Sequence, residues 1–168
     1  MEAILSLGSN LGNRLALLVQ AREALDSLPQ TRLVASSRVY RTEPVDVPAD
    51  SRAGTFLNAL VVLETALAPP VLLAAAHAIE LQLGRTRSAI RNAPRTIDID
   101  LIACGNLRLD TPALQLPHPR AHLRRFVCEP LAELRPDLVL PGQQLPIRAL
   151  LAALPASPSV TLAAEQWA

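Results

Sequence analysis

A chain of 168 residues with a formal net charge of +1 has the length of one domain and no global field to draw in a polyanion. Half of its residues are hydrophobic but only two Phe, one Tyr and one Trp are aromatic, so a core must be built of Leu, Val, Ile and Ala. All 16 basic residues are arginine, which excludes a P-loop nucleotidase with its phosphate-cradling lysine and Schiff-base chemistry through a lysine.

Ala3 to Leu7 reads as a first strand, ended by the turn Gly8-Ser9-Asn10. From Leu11 to Leu28, apolar residues at Leu15, Leu18, Val19, Ala21 and Leu25 keep a helical period, and Pro29 stands just beyond. The GSNLGN turn could aim N–H groups at an anion near the helix start, and it is also ordinary turn chemistry. Thr31 to Tyr40, carrying Val34 and Val39, is expected to form a strand. Thr42 to Gly54, TEPVDVPADSRAG, is a loop of a length often used for lids or binding loops. Phe56 to Thr65 is a long apolar strand with one amide, Asn58, which suits either a satisfied structural group or a ligand contact. Pro69-Pro70 opens a helix through Leu83, with Leu72, Leu73, Ala76, Ile79 and Leu83 at helical spacing and His77 and Glu80 three apart.

Gly84 stops that helix and Pro94 blocks any helix running into it, so Gly84 to Pro94 is a loop carrying Arg85, Arg87 and Arg91, with Arg95 just after. From Thr96 the sequence alternates acid and aliphatic residues, the period of a strand that continues to Ala103. Asp98 and Asp100 then share one face about 7 Å apart, while Ile97, Ile99 and Leu101 fill the other. Two neighbouring carboxylates repel unless a cation lies between them, and magnesium is commonly held by one or two carboxylates, water and substrate phosphate. The arginines upstream have the forked donors that recognise phosphate. The spacing fits metal-assisted phosphoryl chemistry, and it fits equally a solvated loop leading to a strand with an acidic outer face.

Leu116-Pro117-His118-Pro119-Arg120 leads into HLRRF, where Arg124 and Arg125 add positive charge beside His118 and His122. Neither histidine forms a metal-binding motif with a neighbouring acid, so phosphate or substrate contact is the functional reading of His118. Val127 to Leu134 and Leu145 to Leu154 are short helices, and Ala156 to Ala168 is expected to be a loosely held tail. With no internal repeat or boundary, residues 1–168 read as one domain. The order strand, helix, strand, strand, helix, strand predicts an α+β fold: a ferredoxin-like split βαβ sandwich, its mainly antiparallel sheet carrying both helices on one face. Cys104 and Cys128 lack metal-ligand spacing and are expected to be buried free thiols. The start lacks a basic, apolar leader and no apolar run reaches membrane-spanning length, so a soluble cytoplasmic protein is expected.

The pieces GSN (8–10), YRTEP (40–44), FLN (56–58), IELQLGR (79–85), APRTIDIDL (93–101), PH (117–118) and RRF (124–126) resemble, in this order, the 6-hydroxymethyl-7,8-dihydropterin pyrophosphokinase family. Its members move a pyrophosphoryl group from ATP to a pterin alcohol in folate biosynthesis. The resemblance implies two magnesium ions on Asp98 and Asp100, and a catalytic set of these aspartates with Arg85 and Arg95 on the ATP phosphates. The loop from Gly84 to Ala93 would close over them. It implies an ATP pocket of His77, Glu80, Arg85, Arg95, His118 and Arg124. The pterin is expected beside Thr42, Pro44, Val45, Phe56, Asn58 and Phe126, stacked by the aromatics and read at its polar edge by Asn58. A monomer without nucleic-acid or membrane partners is expected. The chain departs from the family pattern at Asn92 (Trp in well-known bacterial members), Pro119 (commonly aromatic) and His77 (Gln). The residues alone also admit a metal-dependent nuclease or phosphatase using the two aspartates, or a binding module of the same fold without turnover.

Overall fold

A computed structural model describes residues 1–43, 54–86, 95–164 and 166–167. The chain runs β1 (Glu2–Ser9), α1 (Arg14–Asp26), β2 (Thr31–Ser36), β3 (Tyr40–Thr42), β4 (Phe56–Thr65), α2 (Pro69–Gln82) and β5 (Asp98–Cys104). A small hairpin of β6 (Leu109–Asp110) and β7 (Gln115–Leu116) follows. Then come a 3-10 turn at Ala121–Leu123, α3 (Arg125–Leu134), α4 (Ile147–Ala153) and β8 (Val160–Leu162). The strand order is β5-β1-β4-β3-β8, with β2 also on β4, and every described pairing in this sheet is antiparallel.

The central strands β1 and β4 are buried on both faces, which is why they read in the sequence as apolar runs rather than alternations. On one face Leu5, Leu7, Leu57, Ala59 and Leu63 pack against Leu18, Ala21 and Leu25 of α1 and Leu72, Ala76 and Ile79 of α2. The pair of helices on one face is thus present as expected. The opposite face has its own layer, in which Ile4, Leu60, Val62 and Ile102 meet Val127 and Leu131 of α3 and Ile147 of α4. Burying each such Leu or Ile contributes about 1.5–3 kcal/mol, so the two central strands anchor the fold from both sides.

The expected strand from Thr31 to Tyr40 is two strands. Ser36 faces Val61 and Tyr40 faces Asn58, so four steps on one chain match three on the other, and the break falls at Ser37. The Ser37 N–H donates to the Leu60 carbonyl at 2.9 Å, and its hydroxyl accepts the Leu60 N–H at 2.9 Å. A serine side chain thus replaces a ladder bond, a competition that serine is prone to. The segment expected to be a loose tail also differs: β8 pairs with β3, and the Trp167 Nε1–H donates to the Ser37 carbonyl at 2.8 Å. Cys104 and Cys128 are free and buried. Among the described residues, no helix is long and apolar enough to cross a membrane.

Candidate active site

The face of the sheet under α3 and α4 continues past those helices, and there its side chains turn polar. Asp98 faces Gly8 and Asp100 faces Ser6 across β5 and β1, and Gly8 faces Asn58 across β1 and β4. Period-2 alternation puts Ser6, Gly8, Asn58, Asp98 and Asp100 on one side. Gly8 is required by that neighbour: a Cβ there would lie 2.9 Å from the Asn58 Oδ1. The Asn58 Nδ2–H donates to the Thr42 Oγ1 at 2.7 Å, and both residues are buried. The floor is set by ladder register and not by loops.

At the edge of this floor stands a network of arginines and acids. Among the described residues β5 pairs only with β1, so its outer N–H groups need other partners, and the Ile99 N–H donates at 2.7 Å to the Glu80 Oε1 from the last turn of α2. Arg85, just past the Gly84 turn (φ +83°), pairs with the same Glu80 oxygen and donates to the Asp98 Oδ1 at 2.6 Å. Arg95 donates to the Asp98 Oδ2 at 2.8 Å. The Arg95 backbone N–H in turn donates at 2.8 Å to the Asn10 Oδ1 of the GSN turn. Downstream, the Asn13 Oδ1 accepts the Ala16 N–H at 3.2 Å and caps α1. The two amide oxygens thus serve the turn and the helix cap, the ordinary turn chemistry that the sequence admits here.

Burial pushes the Glu80 carboxyl up to about 7, against the opposite pull of the Ile99 N–H and Arg85. Asp100 is pushed up to about 6, first by burial and then by the charge of Asp98, while Arg124 pulls it down from 3.9 Å away. The charge of Asp98 therefore makes Asp100 harder to ionise, and a cation beside the pair would relieve that repulsion. Two hard oxygen donors suit magnesium, which keeps waters and takes substrate phosphate, and do not make a closed zinc cage. Among the described residues there is no group of three or more His, Cys, Asp and Glu placed to hold a metal by protein alone.

His118 is fixed by its backbone N–H donating to the Ile102 carbonyl at 2.8 Å, and its Nδ1 accepts the Arg120 N–H at 3.1 Å. Burial, then Arg124 and Arg120, push it down to about 4, so the ring is neutral near pH 7 and carries its proton on Nε2. It offers a directed N–H donor instead of a charge. The Arg124 guanidinium lies 5.5 Å from the Phe126 ring centroid, which orients it beside the floor.

Two adjoining recesses result. The larger, about 450 Å³, takes in Thr42, Phe56, Asn58, His118, Arg124 and Phe126. The smaller, about 250 Å³, is lined by His77, Glu80 and Arg85, and Arg95, Asp98 and Asp100 border both. All expected site residues within the described part are therefore brought to one place. Pro44, Val45, Asn92 and the loop positions 87–94 lie outside the described residues. Sequence reasoning missed Ser6, Gly8, Glu43, Arg120, Leu123, Arg125, Pro158 and Val160 as lining residues. Of these Gly8, in the GSN turn, Glu43, in YRTEP, and Arg120, Leu123 and Arg125, in the run after His118, stood in or near a legible signal, whereas Ser6, Pro158 and Val160 did not.

Residues 4–136 match the family model for 7,8-dihydro-6-hydroxymethylpterin-pyrophosphokinase (HPPK). The chain is 46% identical over 151 residues to a Pseudomonas aeruginosa 2-amino-4-hydroxy-6-hydroxymethyldihydropteridine pyrophosphokinase, covering 89% of this chain and 90% of the relative. A protein of the same name from Methylorubrum extorquens is 44% identical over 142 residues, 84% of this chain and 87% of that one. Among solved structures, an HPPK-DHPS in complex with substrates has a TM-score of 0.68 at 14% identity, covering 90% of this chain. Plasmodium falciparum HPPK-DHPS with pteroate has a TM-score of 0.70 at 15% identity, again covering 90% of this chain. The present chain spans 43% and 42% of those two solved chains, and at such identity the likeness is one of fold. With the match over residues 4–136 and relatives so similar over nearly their full length, the chain belongs to the 7,8-dihydro-6-hydroxymethylpterin-pyrophosphokinase family.

Proposed function

We propose that this chain transfers a diphosphoryl group from ATP to the hydroxymethyl oxygen of 6-hydroxymethyl-7,8-dihydropterin, releasing AMP and the pterin diphosphate. The observation that carries the reading is the position of Asp98 and Asp100 on the border between a recess walled by arginine and acid and one walled by aromatic rings and an amide. Two reactants of different chemistry would meet at that border.

In this reading Asp98 and Asp100 hold two magnesium ions. When bound, the metal neutralises phosphate charge and helps to align the phosphate chain. Arg85 and Arg95, both now on Asp98, turn their forked donors to the phosphates, and Glu80 keeps Arg85 on a short tether. His77 borders the recess that takes the nucleotide, and the His118 Nε2–H and Arg124 add donors from the other side. The pterin lies between Phe56 and Phe126, with its polar edge on Asn58 and Thr42. Asn58 suits this because its Nδ2 is committed to Thr42, which leaves its carbonyl oxygen turned by a fixed amide. The hydroxymethyl oxygen attacks the β-phosphorus, the bond from that phosphorus to the α–β bridging oxygen breaks, and the alcohol proton passes to solvent. Positioning and charge supply the acceleration without a covalent intermediate. Residues 1–168 act as a single pyrophosphokinase domain, a cytoplasmic monomer, in the same proposal.

Incubation with ATP, magnesium and the pterin alcohol tests it. AMP that forms only with the pterin present is the expected product. ADP would indicate ordinary phosphoryl transfer, and an absence of any product would reduce the chain to a binding module.

A further inference from the structure

The family match ends at residue 136, yet two residues far beyond it, Pro158 and Val160, line the larger recess. Their presence follows from strand pairing. Across the β4, β3 and β8 ladder, Phe56 faces Thr42 and Thr42 faces Val160, so these three side chains stand in one row on one face of the sheet. Thr42 is the partner of Asn58. Val160 therefore extends the aromatic and amide floor by one strand, beside the group that would read the pterin edge. We propose that the C-terminal strand is a specificity-determining wall of the pterin recess, with Val160 and Pro158 closing its apolar side.

A three-residue edge strand is too short to hold itself, and the structure shows what holds it. The Val39 N–H donates to the Gln166 Oε1 at 2.8 Å, and the Gln166 Nε2–H returns to the Val39 carbonyl at 2.9 Å. One glutamine side chain thus imitates a strand neighbour for Val39. The Ala163 N–H also reaches the Val39 carbonyl, at 3.0 Å. Trp167 adds its bond to Ser37 and lies 4.8 Å below the Arg22 guanidinium of α1. The hydrogen bonds among these anchors all grip Ser37 and Val39 in the break between β2 and β3, the segment that places Thr42, and the Arg22 contact ties the tail to α1. The tail is a strap over that break, and its strand is the wall.

This inference rests on the function proposed above, and the test separates the two. Full-length Val160→Ala, Trp167→Ala and a chain ending at residue 155 are compared with the parent for KM of the pterin, KM of ATP, kcat and Tm. Equilibrium binding of the pterin alcohol is followed by calorimetry. Val160→Ala, which removes two methyl groups from a half-buried side chain, should raise the pterin KM about three- to tenfold, below the effect of a fully enclosed contact, with ATP KM and Tm almost unchanged. Truncation should raise it further, and Trp167→Ala should fall between. Unchanged pterin KM and binding in Val160→Ala, or equal rises for pterin and ATP in all three variants, would overturn the wall while leaving the pyrophosphokinase reading intact. A parent protein that neither binds nor turns over the pterin would remove both.

Discussion

The same three strands carry two very different surfaces on one face of the sheet. Along β1, Ile4 gives way to Ser6 and Gly8. Along β4, Val62 and Leu60 give way to Asn58, and along β5, Ile102 gives way to Asp100 and Asp98. Side chains two residues apart on a strand point the same way, so nothing in the backbone separates the two halves. What separates them is the cover: α3 and α4 seal the aliphatic half and stop short of the polar half. An open, polar floor inherits the rigidity of a packed sheet, which is how a site can hold its groups in place without burying them.

The comparison breaks most sharply at the acids. Asp100→Asn and Asp98→Asn should each lower kcat by about a thousandfold or more, and for Asp100→Asn Tm should hold or rise, because a charge that burial disfavours is removed from the open half and no packing is lost. Steady-state kinetics beside thermal melts check this, and near-parental rates in both variants would remove the metal assignment. In the sealed half the pattern should invert. Leu131→Ala, fully buried on α3, should cost about 2–5 kcal/mol of stability by denaturant titration, with both KM values unchanged below the transition. Asn58→Ala should raise the pterin KM about ten- to a hundredfold and spare that of ATP, since it removes the amide but not the arginines.

The smallest effect concerns Glu80 of α2, which reaches the edge of the open half, where it caps β5 and holds Arg85. Its carboxyl sits near 7 in the folded chain against an ordinary 4.5, so folding favours its protonated form. The cost of keeping it charged is present above about pH 7 and is relieved as pH falls through that value. Glu80→Gln should therefore raise Tm by about 2–6 °C at pH 8, with the gain shrinking towards pH 5. A gain that grew towards acid pH would contradict the assigned direction.

Much of this site was legible because strand alternation is local. The spacing of Asp98 and Asp100 places them on one face whatever lies around them, and both do border the same recesses. The network that ties Glu80 to Ile99 and Arg85 to Asp98 was not legible, since it depends on β5 being an edge strand beside the end of α2. Thr31 to Tyr40 was read as one strand because its β-branched residues continue, and only the contest between the Ser37 hydroxyl and the ladder at Leu60 divides it. The α3 and α4 layer gave two helical segments in the sequence but no sign of the face they would cover.

By itself the amino-acid order determined the alternating core strands, the two amphipathic helices on their shared face, the acid pair and the arginines near it, because each depends on a repeat of a few residues. Only the tertiary structure decided which strand ends stay uncovered, why Gly8 must lack a side chain beside Asn58, and how a C-terminal segment expected to be a loose tail comes to line the larger recess. Those outcomes come from pairings between residues scores of positions apart, such as Val39 with Gln166 and Thr42 with Val160. No local period encodes such a pairing; it follows from which edges remain unpaired once the central strands have packed.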